Sequence, residues 1–430
     1  MRSRVAQLAF PITLGVLADS VLNLVGLIAV SRLSPEAVAA VGLSSYLFFL
    51  LNAVFVVFAG GAIVLSSQAV GAGRVDLASK ALGEVVTSCI LFSLTITFSS
   101  PFWLHSYLLF MSQGNLSVVK EGYVYALMRL FSLPALAVNV VISSFYRSAD
   151  KPWPSTLSSV ITACAGLIAI PFLTLEPGGM GVGGAGLATS IASYLGLAAY
   201  ILYPPPIPLK LSTPSRLLGR VLLIGLPMAS ERLVASAAQN VYINAVARGG
   251  TLALAAHNIG ITVENLVIQP AFAISMAALI EAGKKVGADN PVDTSTIVKE
   301  SVKISVAWMG LAAIILASIS PMVTSLFTSD PKIAELTVSY LFLAALSEVG
   351  LGVSQAFFGA IRGMGSVWLP FTITSLTVVV FRALPAQILS LSYGAVGAWI
   401  TQNTDMYGRA ILAFLAWKML GVRKLSKKVI

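Results

Sequence analysis

Five carboxylic acids, Asp19, Glu231, Glu264, Glu348 and Asp405, each stand near the middle of a long apolar run. Hydrocarbon disfavours a bare carboxylate, so an acid kept at such depth must take up a proton, hold a metal cation or face a cationic partner. A carboxyl that accepts a proton from one side of a membrane and releases it to the other can couple a gradient to transport. The same oxygens can serve Na+ or a cationic organic molecule. Four of the five acids belong to the second half of the chain.

Helical spacing draws further polar residues towards these acids. His257 and Glu264 are seven apart, as are Glu348 and Gln355, and residues two turns apart drift by only ~20°. Arg232, Ser236, Asn240 and Asn244 recur at every fourth position, a polar stripe suited to a cavity wall, and Asn265 and Gln269 repeat the pattern. Asp405 and Arg409 are i, i+4 neighbours able to neutralise each other. Arg382 requires a counter-ion, which Glu348 or Asp405 can supply. Glu231, Glu264 and Glu348 have no such partner on their own helices. The acids Asp19, Glu231, Glu264 and Glu348 are therefore the expected ion-coupling and substrate-attracting groups, with Na+ at Glu231, Glu264 and Glu348 as the metal alternative to a proton. Arg382, Asp405, Arg232, Asn240 and Gln355 form the expected supporting network.

The elements that must hold these residues are spanning helices. The chain of 430 residues is 57% hydrophobic and 10% charged, with a mean hydropathy of +0.89, whereas soluble domains carry roughly 25% charged residues. A span needs ~20 mostly apolar residues. Such runs recur near 5–30, 40–68, 81–103, 123–145, 156–175, 183–203, 217–247, 252–280, 301–327, 336–360, 367–390 and 394–417. No alternating pattern of barrel strands is present. The first run follows Met-Arg-Ser-Arg like a signal peptide, but its length and its Asp19 and Asn23 mark a retained span. Cys89 and Cys164 fall in apolar spans as buried thiols, with no disulfide framework or metal motif.

Net charge is +10, yet its distribution argues against nucleic acid. With the N-terminus inside, 19 of the 27 Lys and Arg residues fall in inner loops and tails and four in outer loops. This is the positive-inside pattern, and it predicts a multi-pass cell-membrane protein with both termini cytoplasmic. The basic C-terminal tail reads as a topology anchor.

The chain is also internally duplicated. Pro11 is answered by Pro227 and Ala39-Ala40 by Ala255-Ala256, both 216 positions later; Arg147 and Trp153 are answered by Arg362 and Trp368 at 215, and Gly184-Ala185 by Gly397-Ala398 at 213. A constant offset of half the length marks a repeated unit. The segment 204–216, PPPIPLKLSTPSR, cannot sustain a span and acts as a stiff tether. The expected organisation is an N-terminal six-helix lobe over 1–203, a cytoplasmic Pro-rich linker over 204–216 and a C-terminal six-helix lobe over 217–430. Six spans per half make the repeat parallel. The fold class is thus all-α, with twelve transmembrane helices in two six-helix bundles related by pseudo-twofold symmetry along the membrane normal. Pro11 and Pro227 permit matched bends in the first and seventh spans and are the expected hinges. Gly60-Gly61, GVGGAGLAT at 181–189 and Gly350/Gly352 let helix backbones approach.

No Walker loop, H-E-x-x-H or G-x-S-x-G motif is present, and no nucleophile or metal cluster supports an enzyme. Without an ATP site, active transport must draw on an ion gradient, so no cofactor beyond H+ or Na+ is expected. One charge crossing 100 mV yields about 2.3 kcal/mol and a tenfold gradient costs about 1.4 kcal/mol. One or two ions then support roughly 10- to 1,000-fold accumulation. A single internally duplicated chain is unlike the symmetric assemblies that form channels.

Several segments resemble the multidrug and toxic compound extrusion family of archaea and bacteria, in order and over nearly the whole chain. LAFPITLGVLADSVLNLVGLIAVSRLSPEAVAAVGLS is similar to the family's opening, and SQAVGAGRVDLASKAL at 67–82 to its loop after the second helix. FYRSADKPWPSTL at 145–157 and FGAIRGMGSVWLPF at 358–371 resemble its paired R-G-x-G-D segments. GVGGAGLATSIA at 181–192 and GAVGAWI at 394–400 resemble the starts of its sixth and twelfth helices. The resemblance implies two lobes, a central cavity and cation-coupled export of amphipathic, cationic small molecules by a monomer. Where many members carry a first-helix Asp, this chain has Gly26, and the fifth-span segment CAGLIAIPF holds no acid. Asp19, two turns from Gly26, is the candidate substitute. Other members use second-lobe acids in helices 7, 8 and 10, where Glu231, Glu264 and Glu348 lie. The alternative function is a flippase for a lipid-linked precursor from the same wider superfamily, which Arg232 and Arg382 favour and the midplane acids disfavour.

Overall fold

The computed structural model describes residues 3–175, 179–204 and 211–430. Of the linker 204–216, residues 205–210 lie outside the described residues. The chain is helical throughout, with no strand among the described residues. Seven helices occupy the first half: α1 Arg4–Ser31, α2 Pro35–Gly71, α3 Val75–Met111, α4 Leu116–Leu130, α5 Leu133–Ser148, α6 Trp153–Thr174 and α7 Gly181–Leu202. The second half holds α8 Arg216–Ala247, α9 Thr251–Val267, α10 Gln269–Gly287, α11 Thr294–Ser325, α12 Pro331–Gly363, α13 Trp368–Thr377 and α14 Leu384–Leu425. A π-helical turn, Val378–Ala383, joins α13 to α14.

These elements reduce to twelve crossings. α4 and α5 meet at a 45° bend and make one span, and Thr251–Gly287, comprising α9 and α10, makes another. Trp368–Leu425 runs for 58 residues, far beyond the ~20 residues that one crossing needs. It breaks at Gly394, whose φ of 56° and ψ of −142° lie where a Cβ is strained. The path on either side of Gly394 supplies the eleventh and twelfth crossings.

Local chemistry explains how these helices start and stay polar-satisfied inside hydrocarbon. Asn115 caps α4 by accepting from Ser117 N at 3.2 Å and Val118 N at 3.3 Å. Asp330 caps α12 the same way, with Pro331 at the first helical position. Within spans, hydroxyls donate to carbonyls one turn back, as Thr13 does to Ala9 and Ser44 to Ala40, each at 2.8 Å. Large apolar side chains such as Phe102, Phe110 and Ile201 point outward and exposed, as lipid-facing helices require. The buried and exposed thiols differ: Cys89 is buried but Cys164 lies on the exposed face of α6, contrary to the expectation of two buried thiols. The apolar character of its span does not specify which face meets neighbouring helices.

Two compact units divide the chain: Met1–Thr13, Ser67–Gly73 and Leu226–Ile430 form one, and Leu14–Ser66 with Arg74–Gly225 the other. In the first unit, Ser3 Oγ donates to Glu300 at 3.1 Å. There the fully buried Gln68 donates to the carbonyls of Gly363 at 3.0 Å and Lys427 at 3.1 Å and accepts from Val429 N at 2.9 Å. These bonds place the beginning of α1 and the end of α2 with the second half of the chain. In the second unit, the buried carboxylate of Glu84 accepts from Ser215 N at 3.0 Å, Ser215 Oγ at 2.7 Å and Leu218 N at 3.1 Å. That cap joins the start of α8 to α3. The divisions within α1 and α8 fall beside Pro11 and Pro227, both buried inside their helices.

Candidate functional site

α9, α12, α14 and the π-helical turn Val378–Ala383 pack together in the first unit and bring three acids and two guanidinium groups into one buried cluster. Glu264, from α9, accepts a hydrogen bond from the Tyr340 hydroxyl of α12 and another from Gln402 Nε2 of α14 at 2.6 Å. Gln402 also donates to Ser347 Oγ at 3.2 Å and accepts from Arg382 Nη2 at 2.7 Å. One amide thus ties the cation to the acid, its oxygen to Arg382 and its nitrogen to Glu264. Asp405 has no exposed surface. It accepts from Arg409 Nε at 2.8 Å and Nη2 at 2.6 Å, with Arg382 Nη1 at 3.9 Å. Such a bidentate pair is the arrangement that best offsets the cost of burying two charges.

Glu348 differs from both. It lies on α12 beside Ser347 with no exposed surface, and neither carboxylate oxygen has a hydrogen-bond partner among the described residues. Glu264 is close enough for its charge to act on it. A bare charge left in this position is among the most costly features a fold can hold. Glu348 is thus the one acid of the cluster that no described side chain engages by a hydrogen bond.

The backbone supplies Arg382 through an irregular turn. Pro385 has no N–H, so the Phe381 carbonyl four residues earlier needs another donor, and Thr404 Oγ1 provides it at 2.6 Å. The π-helical Val378–Ala383 contains Arg382, a local widening common at functional positions. The Arg382 guanidinium carbon lies 4.6 Å from the centre of the Tyr242 ring, a cation–π contact. An aromatic chain of Tyr242, His257, Tyr340 and Trp399 closes the cluster, with successive ring centres 5.7, 5.0 and 5.4 Å apart. Both ring nitrogens of the buried His257 lack a hydrogen-bond partner among the described residues. Gly260 admits the Tyr340 ring: a Cβ there would run into it.

Glu231 stands apart from this cluster. Arg362 Nη2 donates to it at 2.6 Å and Thr374 Oγ1 at 3.0 Å. The expected Na+ set of Glu231, Glu264 and Glu348 does not assemble, since Glu231 is already neutralised by Arg362. Among the described residues no three His, Cys, Asp or Glu side chains gather as a metal site. Asp19, in the second unit, is exposed on α1, accepts from Ser159 Oγ at 3.3 Å and feels the charge of Arg147. Ser159 and Thr374 are the same 215 positions apart as Arg147 and Arg362. Each half thus sets an acid of its first helix beside equivalent Arg and hydroxyl groups. Arg232 and Asn240 are exposed on α8, where Asn240 Nδ2 donates to Ser236 O at 2.9 Å. Gln355 is buried on α12.

Tyr340, Gln402, Ser347 and Tyr242 escape a sequence reading because their partners come from other spans. Gln402 carries one usable signal, its place three residues before Asp405. Arg362 offers only its place in the repeat.

The profile of the MatE family matches residues 11–175 and again 227–388, so both matches begin at the paired prolines. A Thermotoga maritima relative named "Probable multidrug resistance protein NorM" is 26% identical over 398 residues, covering 88% of this chain and 84% of the relative. A Bacillus subtilis relative named "Probable multidrug resistance protein YoeA" is 23% identical over 406 residues, covering 91% and 88%. A solved structure described as an outward-facing conformation of a multidrug resistance MATE family transporter of the MOP superfamily aligns with a TM-score of 0.90 at 22% identity, covering 98% of this chain and 96% of that one. A MOP superfamily transporter from Pyrococcus furiosus aligns with a TM-score of 0.87 at 21% identity, covering 99% and 96%.

Proposed function

The chain belongs to the MatE family, and from that premise we propose that it is a cation-coupled antiporter that exports amphipathic, cationic organic compounds by alternating access. It works as a monomer with both termini in the cytoplasm. The observation that carries this reading is the buried cluster of Glu264, Glu348, Asp405, Arg382 and Arg409, with Glu348 lacking a hydrogen-bond partner among the described residues. A structural network has no need of an orphan acid, whereas a coupling site needs one group whose charge can change. Glu264 shares the load through Gln402, and the Asp405–Arg409 pair holds the frame. Asp19 with Arg147 and Glu231 with Arg362 fasten the hinge helices just beyond Pro11 and Pro227. Pro11 and Pro227 are the points where α1 and α8 flex during the cycle.

Expression in a bacterial strain lacking its own efflux pumps tests this. Cells carrying the wild-type chain are expected to retain less ethidium and to tolerate more of it than cells carrying Glu264→Gln or Glu348→Gln at equal membrane abundance. Ethidium retention unchanged by the wild-type chain, or unchanged by both substitutions, would remove the cluster from the mechanism.

A further inference from the structure

We propose that residues 427–430 are a latch across the end of α2, and that their release is the step that opens this end during transport. The inference rests on the alternating-access reading above and concerns the side proposed there as cytoplasmic. It is independent of the ion and the cargo.

The end of α2 is shut by backbone contact. A Cβ on Gly71 would run into the carbonyl of Lys284 in α10, and one on Gly287 into the carbonyl of Gln68. Ser67, Gln68 and Ala69 have no exposed surface. Backbones in such contact leave no room for water between α2 and α10 at this level.

The latch lies across this closure. α14 loses its helical backbone at Gly421, with φ 69° and ψ 164°, and the residues beyond reach the segment after α12 and the end of α2. Ser366 Oγ donates to the Leu425 carbonyl at 2.7 Å, and Lys427 N donates to the Met364 carbonyl at 2.7 Å. Gln68 then holds the chain on both sides of Lys428. Its Nε2 donates to the Lys427 carbonyl at 3.1 Å, and its Oε1 accepts from Val429 N at 2.9 Å. The same Nε2 donates to the Gly363 carbonyl at 3.0 Å. One side chain from the first half of the chain thus joins the latch to the end of α12.

Root and tip of this segment are held differently. Leu425 is buried in a core cluster with Ala282 and Val298, an apolar anchor. Beyond it, Lys427 and Lys428 are exposed and Val429 and Ile430 half-buried. The ion pair of Lys428 with Asp289 is exposed and contributes little. Hydrogen bonds to Gln68 and Met364 therefore hold the tip, which can leave while Leu425 stays.

Gln68 makes release and opening one event. If the tip left alone, the buried amide would lose partners on both its nitrogen and its oxygen. An unsatisfied buried polar group costs more than the bond itself contributes. If α2 parts from α10, water reaches Gln68 and replaces those partners. Tip release is thus favoured only together with opening of α2, and a docked tip holds the end shut.

Thiol labelling reads the opening. The full-length protein carries Cys89→Ser and Cys164→Ser, in nanodiscs that present both faces to an aqueous reagent. Ser67→Cys then reports the end of α2, and Ser320→Cys, buried near the far end of α11, reports the remainder of the unit. Deletion of 427–430, or Gln68→Leu, is expected to speed labelling at 67 by roughly 5- to 30-fold, the loss of one or two buried hydrogen bonds. Labelling at 320 is expected to stay unchanged. In the Gln68→Leu background the deletion is expected to add no more than about twofold, since both act through one contact. Unchanged labelling at 67 in the deletion would overturn the latch. Equal acceleration at both positions, which marks general loosening, would also overturn it, as would an undiminished effect of the deletion in Gln68→Leu. Ethidium export by the wild-type chain separates the two readings: export retained alongside a deletion without effect on labelling overturns the latch and leaves the transport reading intact.

Discussion

The fully buried Asp405 binds Arg409 through both oxygens and lies 3.9 Å from Arg382, and both guanidinium groups are largely buried. Removing the acid strands two buried guanidinium groups, so Asp405→Ala is expected to cost about 3–5 kcal/mol of stability. Chemical unfolding in detergent measures this, and a loss below 1 kcal/mol on the order given for exposed pairs would contradict the buried pairing. Tyr340→Phe keeps the ring but removes the donor to Glu264, an expected loss of about 1–3 kcal/mol. The depth of these acids was legible in the sequence because a charge in an apolar run stands out. Their sorting into roles was not. Glu231, Glu264 and Glu348 look alike along the chain, yet Arg362 neutralises the first, Tyr340 and Gln402 engage the second, and the third has no hydrogen-bond partner among the described residues. Those partners lie tens to more than a hundred positions away, where periodicity within one helix has no reach.

Irregular turns do the positioning at the level of elements. Pro385 frees the Phe381 carbonyl, Thr404 takes it up, and the intervening π-helical turn carries Arg382. Thr404→Val is expected to loosen this turn and weaken transport with little loss of membrane insertion, measured as the ethidium export rate per folded protein. An unchanged rate would show that the turn does not hold the Arg382 geometry. Gly394→Ala places a Cβ in the left-handed region and is expected to cost about 1–3 kcal/mol. Gly260→Ala pushes into the fully buried Tyr340 ring, with a comparable loss of about 1–3 kcal/mol from overpacking. The spans themselves were legible from apolar runs, and the break at Gly394 falls on the first residue of the expected span 394–417 rather than in the gap 391–393 before it. The π-helical turn was not legible, since it depends on a hydroxyl of the following span.

Over the whole molecule, duplication is the dominant fact, and it was readable from a few paired residues. The family profile falls on the chain twice, beginning at Pro11 and at Pro227. The halves have diverged in their chemistry: the second concentrates Glu264, Glu348 and Asp405, while the first offers Asp19 with Ser159. The charge bias among loops carries the orientation. In a Cys89→Ser, Cys164→Ser background, Ser329→Cys is expected to react with an impermeant thiol reagent in intact cells, and Lys424→Cys only after permeabilisation. The opposite pattern would invert the topology and with it the direction of the proposed export. Coupled export through this cluster requires that Glu348 change its charge when cargo arrives. Infrared difference spectroscopy of ethidium binding reads that event directly. The wild-type chain is expected to lose a protonated-carboxyl band that Glu348→Gln lacks; the same band change in both proteins, or none in the wild type, would contradict it.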